Sequence, residues 1–207
     1  MSVVSSIEFR PAGPADAAAI KTIVRAAYAK WVPVIGREPL PMRADYDKAL
    51  DEHQFELAIE HGRIVGLIET MAHDDHIWIE NVAVAPEARG RGIGRKLLDR
   101  AEHRAVEAGC RELRLLTNGA FAANVLLYRR HGYAIDREEP FMNGTTVYMS
   151  KRLATYGAPP ETDPGDVFKG VVFLKPLHGF GRYASGIQRW LNHLRLRWTG
   201  RLPHRYL

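Results

Sequence analysis

The succession of periodic segments predicts an α/β chain built on one mixed sheet, in the order β-α-α-β-β-β-α-β-α-β-β. Three observations carry that prediction. Helical apolar spacing runs through residues 14–30 and again through 92–108, short strand-like runs rich in Ile, Val and Leu fill the stretch between them, and glycine, proline or Asp-Asp marks most boundaries.

The elements follow in order. Ile7–Arg10 reads as a first strand, and Pro14–Lys30 as a helix with Ala18, Ile20, Ile23, Val24, Ala27 and Tyr28 near helical spacing. Trp31–Met42 is an apolar loop punctuated by Pro33, Pro39 and Pro41, and a short helix is expected from about Ala44 to Glu52. Phe55–Glu60 alternates as a strand and turns at His61-Gly62-Arg63 into the strand Ile64–Met71; Asp74-Asp75 then turns into Ile77–Ala85. A helix from Gly92 to about Ala108 stops at Gly109, and a second, around Val125 to Arg129, stops at Gly132. Strands at Arg111–Thr117, Tyr133–Arg137 and Thr145–Arg152 complete the pattern.

Composition bounds the class. At 207 residues, 46% hydrophobic and 26% charged, the chain suits one domain with a substantial core plus an appendage. A single cysteine, Cys110, excludes an internal disulfide and reads as a small buried hydrophobe. The first ten residues carry no secretory pattern, and no apolar run is long enough to span a bilayer, so a cytoplasmic location is expected. The net charge of +5 belongs to the end of the chain, where eight Lys and Arg beyond Leu153 face only Glu161, Asp163 and Asp166. The expected division is a domain at 1–153 and, at 154–207, a Pro/Gly-rich linker with a basic amphipathic tail, in which Ile187, Trp190, Leu191 and Leu194 share one helical face. Packing on its own domain or across a homodimer is the plainer reading of that tail; a membrane surface or a partner is the sharper one.

The most informative stretch is Val82-Ala83-Val84-Ala85-Pro86-Glu87-Ala88-Arg89-Gly90-Arg91-Gly92-Ile93-Gly94-Arg95-Lys96. An apolar strand is cut by Pro86 and crosses a loop of alternating glycines and arginines into a helix. Unpaired amides at the helix start, close backbone approach at glycine, and arginine charge together suit a diphosphate. The dinucleotide fingerprint fails because Arg95 stands at its last glycine, and the nucleotide-hydrolase loop fails because Arg95-Lys96-Leu97 lacks Lys-Ser/Thr. A basic helix cap on a surface is the bland alternative. Arg89-x-x-Gly92-x-Gly94 after Val-Ala-Val resembles the acetyl-CoA signature of the GCN5-related N-acetyltransferases, the GNAT superfamily, and matches its Gln/Arg-x-x-Gly-x-Gly/Ala pattern without departure.

A second block, Asn124-Val125-Leu126-Leu127-Tyr128 ahead of Gly132-Tyr133, resembles that superfamily's later motif. The resemblance spans roughly Ile7–Leu153. It implies a GNAT-like mixed, mostly antiparallel sheet flanked by helices, here with a short basic C-terminal extension. It also implies acetyl-CoA as donor, with no metal, and an amine acceptor that is a small molecule or a protein.

The resemblance assigns roles residue by residue. The backbone of Val82, Ala83 and Val84 would pair with the pantetheine arm. Arg89, Gly90, Arg91, Gly92, Ile93, Gly94 and Arg95 would hold the diphosphate, and Asn124 cofactor amide or phosphate groups. Tyr128 would protonate the departing sulfur. An amine must lose its proton before it attacks, since its reference pKa is near 10.4. Glu80, two residues before Val82 and expected on the same strand face, is the first choice to relay that proton. Glu69 is the second choice and His76 the third. Plainer roles stand beside each of these: an ion-paired or solvated Glu80, a core Tyr128, a helix cap at Asn124. Asn118 reads as a strand-end cap or an acceptor-site group. The resemblance puts Tyr28, Trp31 and the Ile35–Met42 loop near the acceptor.

Two other classes compete with an enzyme. A non-catalytic acyl-CoA-binding module docking through its basic tail would bind cofactor without turnover. A nucleic-acid protein using Arg89–Lys96 as a phosphate patch would show salt-steep affinity, but the loop has no interleaved aromatics, so no nucleic acid is expected.

Overall fold

The computed structural model describes residues 6–153. Seven strands form one sheet in the order β1-β2-β3-β4-β5-β7-β6: β1 (Glu8–Pro11), β2 (Gln54–Glu60), β3 (Arg63–Ala72), β4 (His76–Val84), β5 (Glu112–Asn118), β6 (Ala134–Phe141) and β7 (Gly144–Arg152). β4 and β5 are the parallel pair; every other neighbour is antiparallel. The mixed, mostly antiparallel sheet expected from the resemblance is therefore present. The basic tail and the boundary at 153/154 lie outside the described residues. Among the described residues, no helix is long and apolar enough to cross a membrane.

Helices cover both faces. α1 (Ala17–Tyr28) buries Ile20, Ile23, Val24 and Ala27, and α3 (Tyr46–Glu52) packs Tyr46 edge-on against Phe55 of β2. α3 starts where the Asp45 carboxylate accepts the Lys48 amide, an N-cap bond. On the opposite face, α4 (Ile93–Glu107) buries Ile93, Leu97, Leu98, Ala101 and Ala105 at helical spacing; each fully buried leucine contributes about 1.5–3 kcal/mol. Glycine at position 66 lets α4 lie close: a Cβ there would stand 3.0 Å from Ile93 Cγ2 and 3.2 Å from both Leu97 Cδ1 and the Ala83 carbonyl. The buried carboxylate of Glu56 on β2 meets Arg100 and Arg104 of α4.

Three details differ from the sequence reading. The first predicted helix opens with a 3-10 turn at Pro14–Asp16 and closes in another at Ala29–Trp31. The proline-punctuated loop contains a one-turn helix, α2 (Val32–Ile35), because Pro33 falls within its first turn, where no N–H is needed. β6 runs on through Pro140 to Phe141, which an edge strand tolerates because its outer amides need no partner.

Candidate active site

The site begins where the parallel pair separates. β4 and β5 are in register from His76 opposite Glu112 to Ile79 opposite Leu115; beyond those residues β4 runs on to Val84 and β5 to Asn118 with no further pairing between them. From Glu80 onward the edge of β4 that faces β5 has no strand partner.

A bulge decides what points where. β3 and β4 match Gly66 with Val84 through Glu69 with Asn81, then resume at Thr70 with Ile79, so Glu80 is the extra residue. Gly66, opposite Val84, abuts α4, and a Cβ on Gly94 of α4 would lie 3.7 Å from Val84 Cγ2, so Val82 and Val84 face α4. Asn81 faces the other way, bonded to Tyr28 of α1 and Tyr46 of α3. Glu80 lies with that second group, its charge felt by Tyr28, Tyr46 and His53. The strict alternation used in the sequence reading put Glu80 on the face of Val82; the added residue turns it to the opposite one.

Glu80 is held in a polar but poorly hydrated setting. Burial, and then the charge of Glu69, raise its carboxyl above the usual carboxylate range; the Trp78 indole N–H, donating at 2.9 Å, and the charge of His53 pull the other way. Glu69 is buried and lies 2.6 Å from His53 Nδ1. His76, the third candidate base, is engaged instead with Asp75 at 2.6 Å and stacked on His73.

Tyr128 lies in α5 (Ala122–Arg130), buried and packed edge-on against Tyr133, with ring centroids 5.9 Å apart. Its hydroxyl has no hydrogen-bond partner among the described residues, and burial pushes it up to about 12. Burial keeps the Tyr28 hydroxyl protonated, and Tyr128, Tyr46, Glu69 and Glu80 act in the same direction. Gly132, with φ +91°, ends the helix as expected and returns the chain to Tyr133.

The glycine loop has the expected backbone. Gly90 and Gly92 take φ of +75° and +76°, and the first intrahelical bond of α4 runs from the Lys96 amide to the Gly92 carbonyl. The amides of Ile93, Gly94 and Arg95 therefore leave the helix start without intrahelical partners, at the positive end of its dipole. The arginines divide the work unequally. Arg89 stays exposed but reaches α1, its Nη2 donating to the Ala27 carbonyl at 2.8 Å near the end of that helix. Arg91 pairs with Glu60 of β2, and Arg95 is exposed with no ion pair among the described residues.

Asn124 stands in the first turn of α5, with no side-chain hydrogen bond among the described residues; Phe121 holds the N-cap position. Asn118 closes the strand end by accepting the Ala120 amide at 2.9 Å. Trp31 stacks on Phe121 with centroids 4.4 Å apart, bringing the segment before α2 to the start of α5. Asp99, Glu102 and His131 also gather ligand-type atoms within 4.8 Å of one another, with the Lys151 ammonium on Glu102.

The sequence reading missed His53, Tyr46 and Asn81. Neither spacing nor motif marks them, because each acts through a neighbour distant in sequence: Glu69, Asn81 and Tyr28 respectively.

A family model described as "Acetyltransferase (GNAT) family" matches residues 20–133, more than half of the chain. The chain belongs to this family. Among curated proteins, an IAA acetyltransferase of Azospirillum brasilense is similar to this GNAT chain at 43% identity over 56 residues, which is 27% of the chain and 37% of that relative. The match thus spans little more than a third of the curated relative. The GNAT fold is shared with solved structures. PaiA N-acetyltransferase from Thermoplasma acidophilum, in complex with coenzyme A, superposes with TM-score 0.62 at 20% identity, covering 72% of this chain and 99% of that one. A GNAT family acetyltransferase from Elizabethkingia anophelis with acetyl-CoA bound gives 0.53 at 18% identity, covering 71% and 98%.

Proposed function

We propose that this GNAT chain moves an acetyl group from acetyl-CoA to a primary amine by direct attack, with donor and acceptor bound together. The observation that carries the reading is the edge of β4 left open beyond Ile79, with the bulged Glu80 at its start and Val84, beside Gly94 of the loop that opens α4, at its end. The free edge of β4 suits the amide-bearing pantetheine arm, with Val82, Ala83 and Val84 beside it. The amides of Ile93, Gly94 and Arg95 suit the diphosphate, with Arg95 supplying charge, and Asn124 offers an unengaged amide.

The chemistry follows from positions. Glu80 takes a proton from the bound ammonium, through water where needed, and its raised proton affinity narrows the gap to the amine. The freed amine attacks the thioester carbon; the C–N bond forms, and the C–S bond breaks through an oxyanion that backbone donors stabilise. Tyr128 stays a phenol at neutral pH and donates to the departing sulfur, and the second proton that the nitrogen sheds as it becomes an amide restores the phenol. A dry setting raises a thiolate's proton affinity as well, which favours that donation. Holding both substrates in one site supplies much of the acceleration.

The test is a thermal-shift titration with acetyl-CoA, CoA and ATP, followed by a thiol-release screen of primary amines. Stabilisation of about 2.7 kcal/mol at a hundred times the dissociation constant is expected with the two CoA species and not with ATP. Glu80→Gln and Tyr128→Phe should keep that stabilisation and lose turnover. CoA binding with no turnover on any amine would leave a binding module instead, and no binding would remove the donor site.

A further inference from the structure

Glu69 is a carboxylate with an unusual address. It is 4% exposed on a central strand, opposite Asn81 and therefore beside the bulged Glu80, and its hydrogen-bond partner comes from outside the sheet. His53 Nδ1 lies 2.6 Å from Glu69 Oε1. His53 is itself fixed twice by the backbone: its amide donates to the Ala49 carbonyl at 2.8 Å to close α3, and the next residue begins β2. Yet 21% of its side chain remains exposed, against 5% for Glu69. The pair therefore reaches from the buried side of β4 to solvent.

We propose that His53 and Glu69 form a positioning pair for Glu80, through which the proton taken from the acceptor amine leaves to bulk water. The inference rests on Glu80 being the base. In each turnover Glu80 gains one proton from the ammonium and must lose it before the next. Glu69 and His53 pass that proton on: an O–H bond is made and broken at Glu69 and an N–H bond at His53, and no other bond changes. Such an exit returns Glu80 to its carboxylate form between cycles.

The electrostatics agree with the geometry. Glu80 is faced by Glu69 from β3, by His53 from the end of α3, by Trp78 on its own strand and by Tyr28 and Tyr46 from α1 and α3. Glu69 raises the proton affinity of Glu80 and His53 lowers it. Burial works against the imidazolium of His53, but the Glu69 hydrogen bond and the charges of Glu69, Glu80 and Glu52 outweigh it, so His53 gains protons more readily than a free histidine.

The test uses the full chain with its glutamate side-chain carboxyls carbon-13 labelled, Glu80→Gln serving to assign the Glu80 resonance. His53→Gln should raise the Glu80 titration midpoint and Glu69→Gln should lower it; an unchanged midpoint in both folded variants overturns the proposal. The second readout is thiol release from acetyl-CoA with the amine the screen identifies. His53→Gln should lower kcat on the order of tenfold with KM for the amine held. That loss falls short of the 10²–10⁴ typical of a group that moves the reacting proton itself. The acidic limb of the pH profile should move with the Glu80 midpoint. A limb that stays in place while Glu80→Gln abolishes turnover sinks the pair but leaves the base. Full turnover in Glu80→Gln sinks the base itself.

Discussion

The Tyr28 hydroxyl donates to Asn81 Oδ1 at 2.9 Å, and Asn81 Nδ2 passes the chain on to the Tyr46 hydroxyl at 3.3 Å. Tyr46 in turn donates to the Pro41 carbonyl at 2.9 Å. One buried amide thus ties α1, α3 and the proline loop to the residue after Glu80. Tyr28→Phe leaves the Asn81 carbonyl unsatisfied and should cost about 1–3 kcal/mol of stability, measured by urea unfolding. A cost near zero would mean that this chain of bonds does not hold the helices to the strand.

Gly66→Ala should destabilise by about 1–3 kcal/mol through overpacking, because one of the three close contacts is the fixed Ala83 carbonyl. Urea midpoints would show it, and an unchanged midpoint would mean that α4 gives way to the added methyl at no cost.

Arg89 and Arg95 should separate in their effects. Arg89→Met removes the bond to Ala27 and should lower stability by about 1 kcal/mol as well as CoA affinity. Arg95→Ala should leave the unfolding midpoint in place and weaken CoA in a salt-dependent way. Equal loss of stability in both variants would contradict a stabilising role for the Arg89 bond to Ala27.

The acid side of stability has a marker in Asp16. Arg10, bonded to it at 2.8 Å, holds its carboxyl at about 2, below its ordinary 3.8. A depressed carboxyl stabilises the fold above its unfolded pKa and stops doing so as pH falls through its folded one. Asp16→Asn should therefore be less stable than the parent near neutral pH, with the difference fading between about pH 4 and 2. A constant difference across that window would rule out the ionic part of the effect.

Turnover should fall as pH drops through the raised Glu80 pKa, because the base acts as a carboxylate. That acidic limb of kcat/KM should lie above the usual carboxylate range, and Glu80→Gln should remove it together with most of the rate. A limb at ordinary carboxylate pH would place the working base elsewhere.

The elements written in local patterns were legible. Helical spacing gave α1 and α4, the glycines gave the turns at Gly109 and Gly132, and loop chemistry gave the α4 entrance. The later motif put Tyr128 forward, and Glu80 was put forward by its place two residues before Val82. What escaped was set by contacts across the fold. A bulge leaves period-two burial intact along β4, so nothing in the residues from His76 to Val84 announces that Glu80 changes sides. The bond from Arg89 to the Ala27 carbonyl exists only once α1 comes to rest beside the loop. His53 looks like a helix-end residue until β3 delivers Glu69.

The separation of β4 from β5 has a mechanical consequence. Only four residue pairs seam the half of the sheet carrying β1–β4 to the half carrying β5–β7, and beyond Ile79 and Leu115 the seam is open. At the far end of β5 the stacked rings of Trp31 and Phe121 act as a clasp between the segment entering α2 and the start of α5. A molecule lying along the open seam would therefore serve as a missing strand, stapling the two halves beneath their clasp.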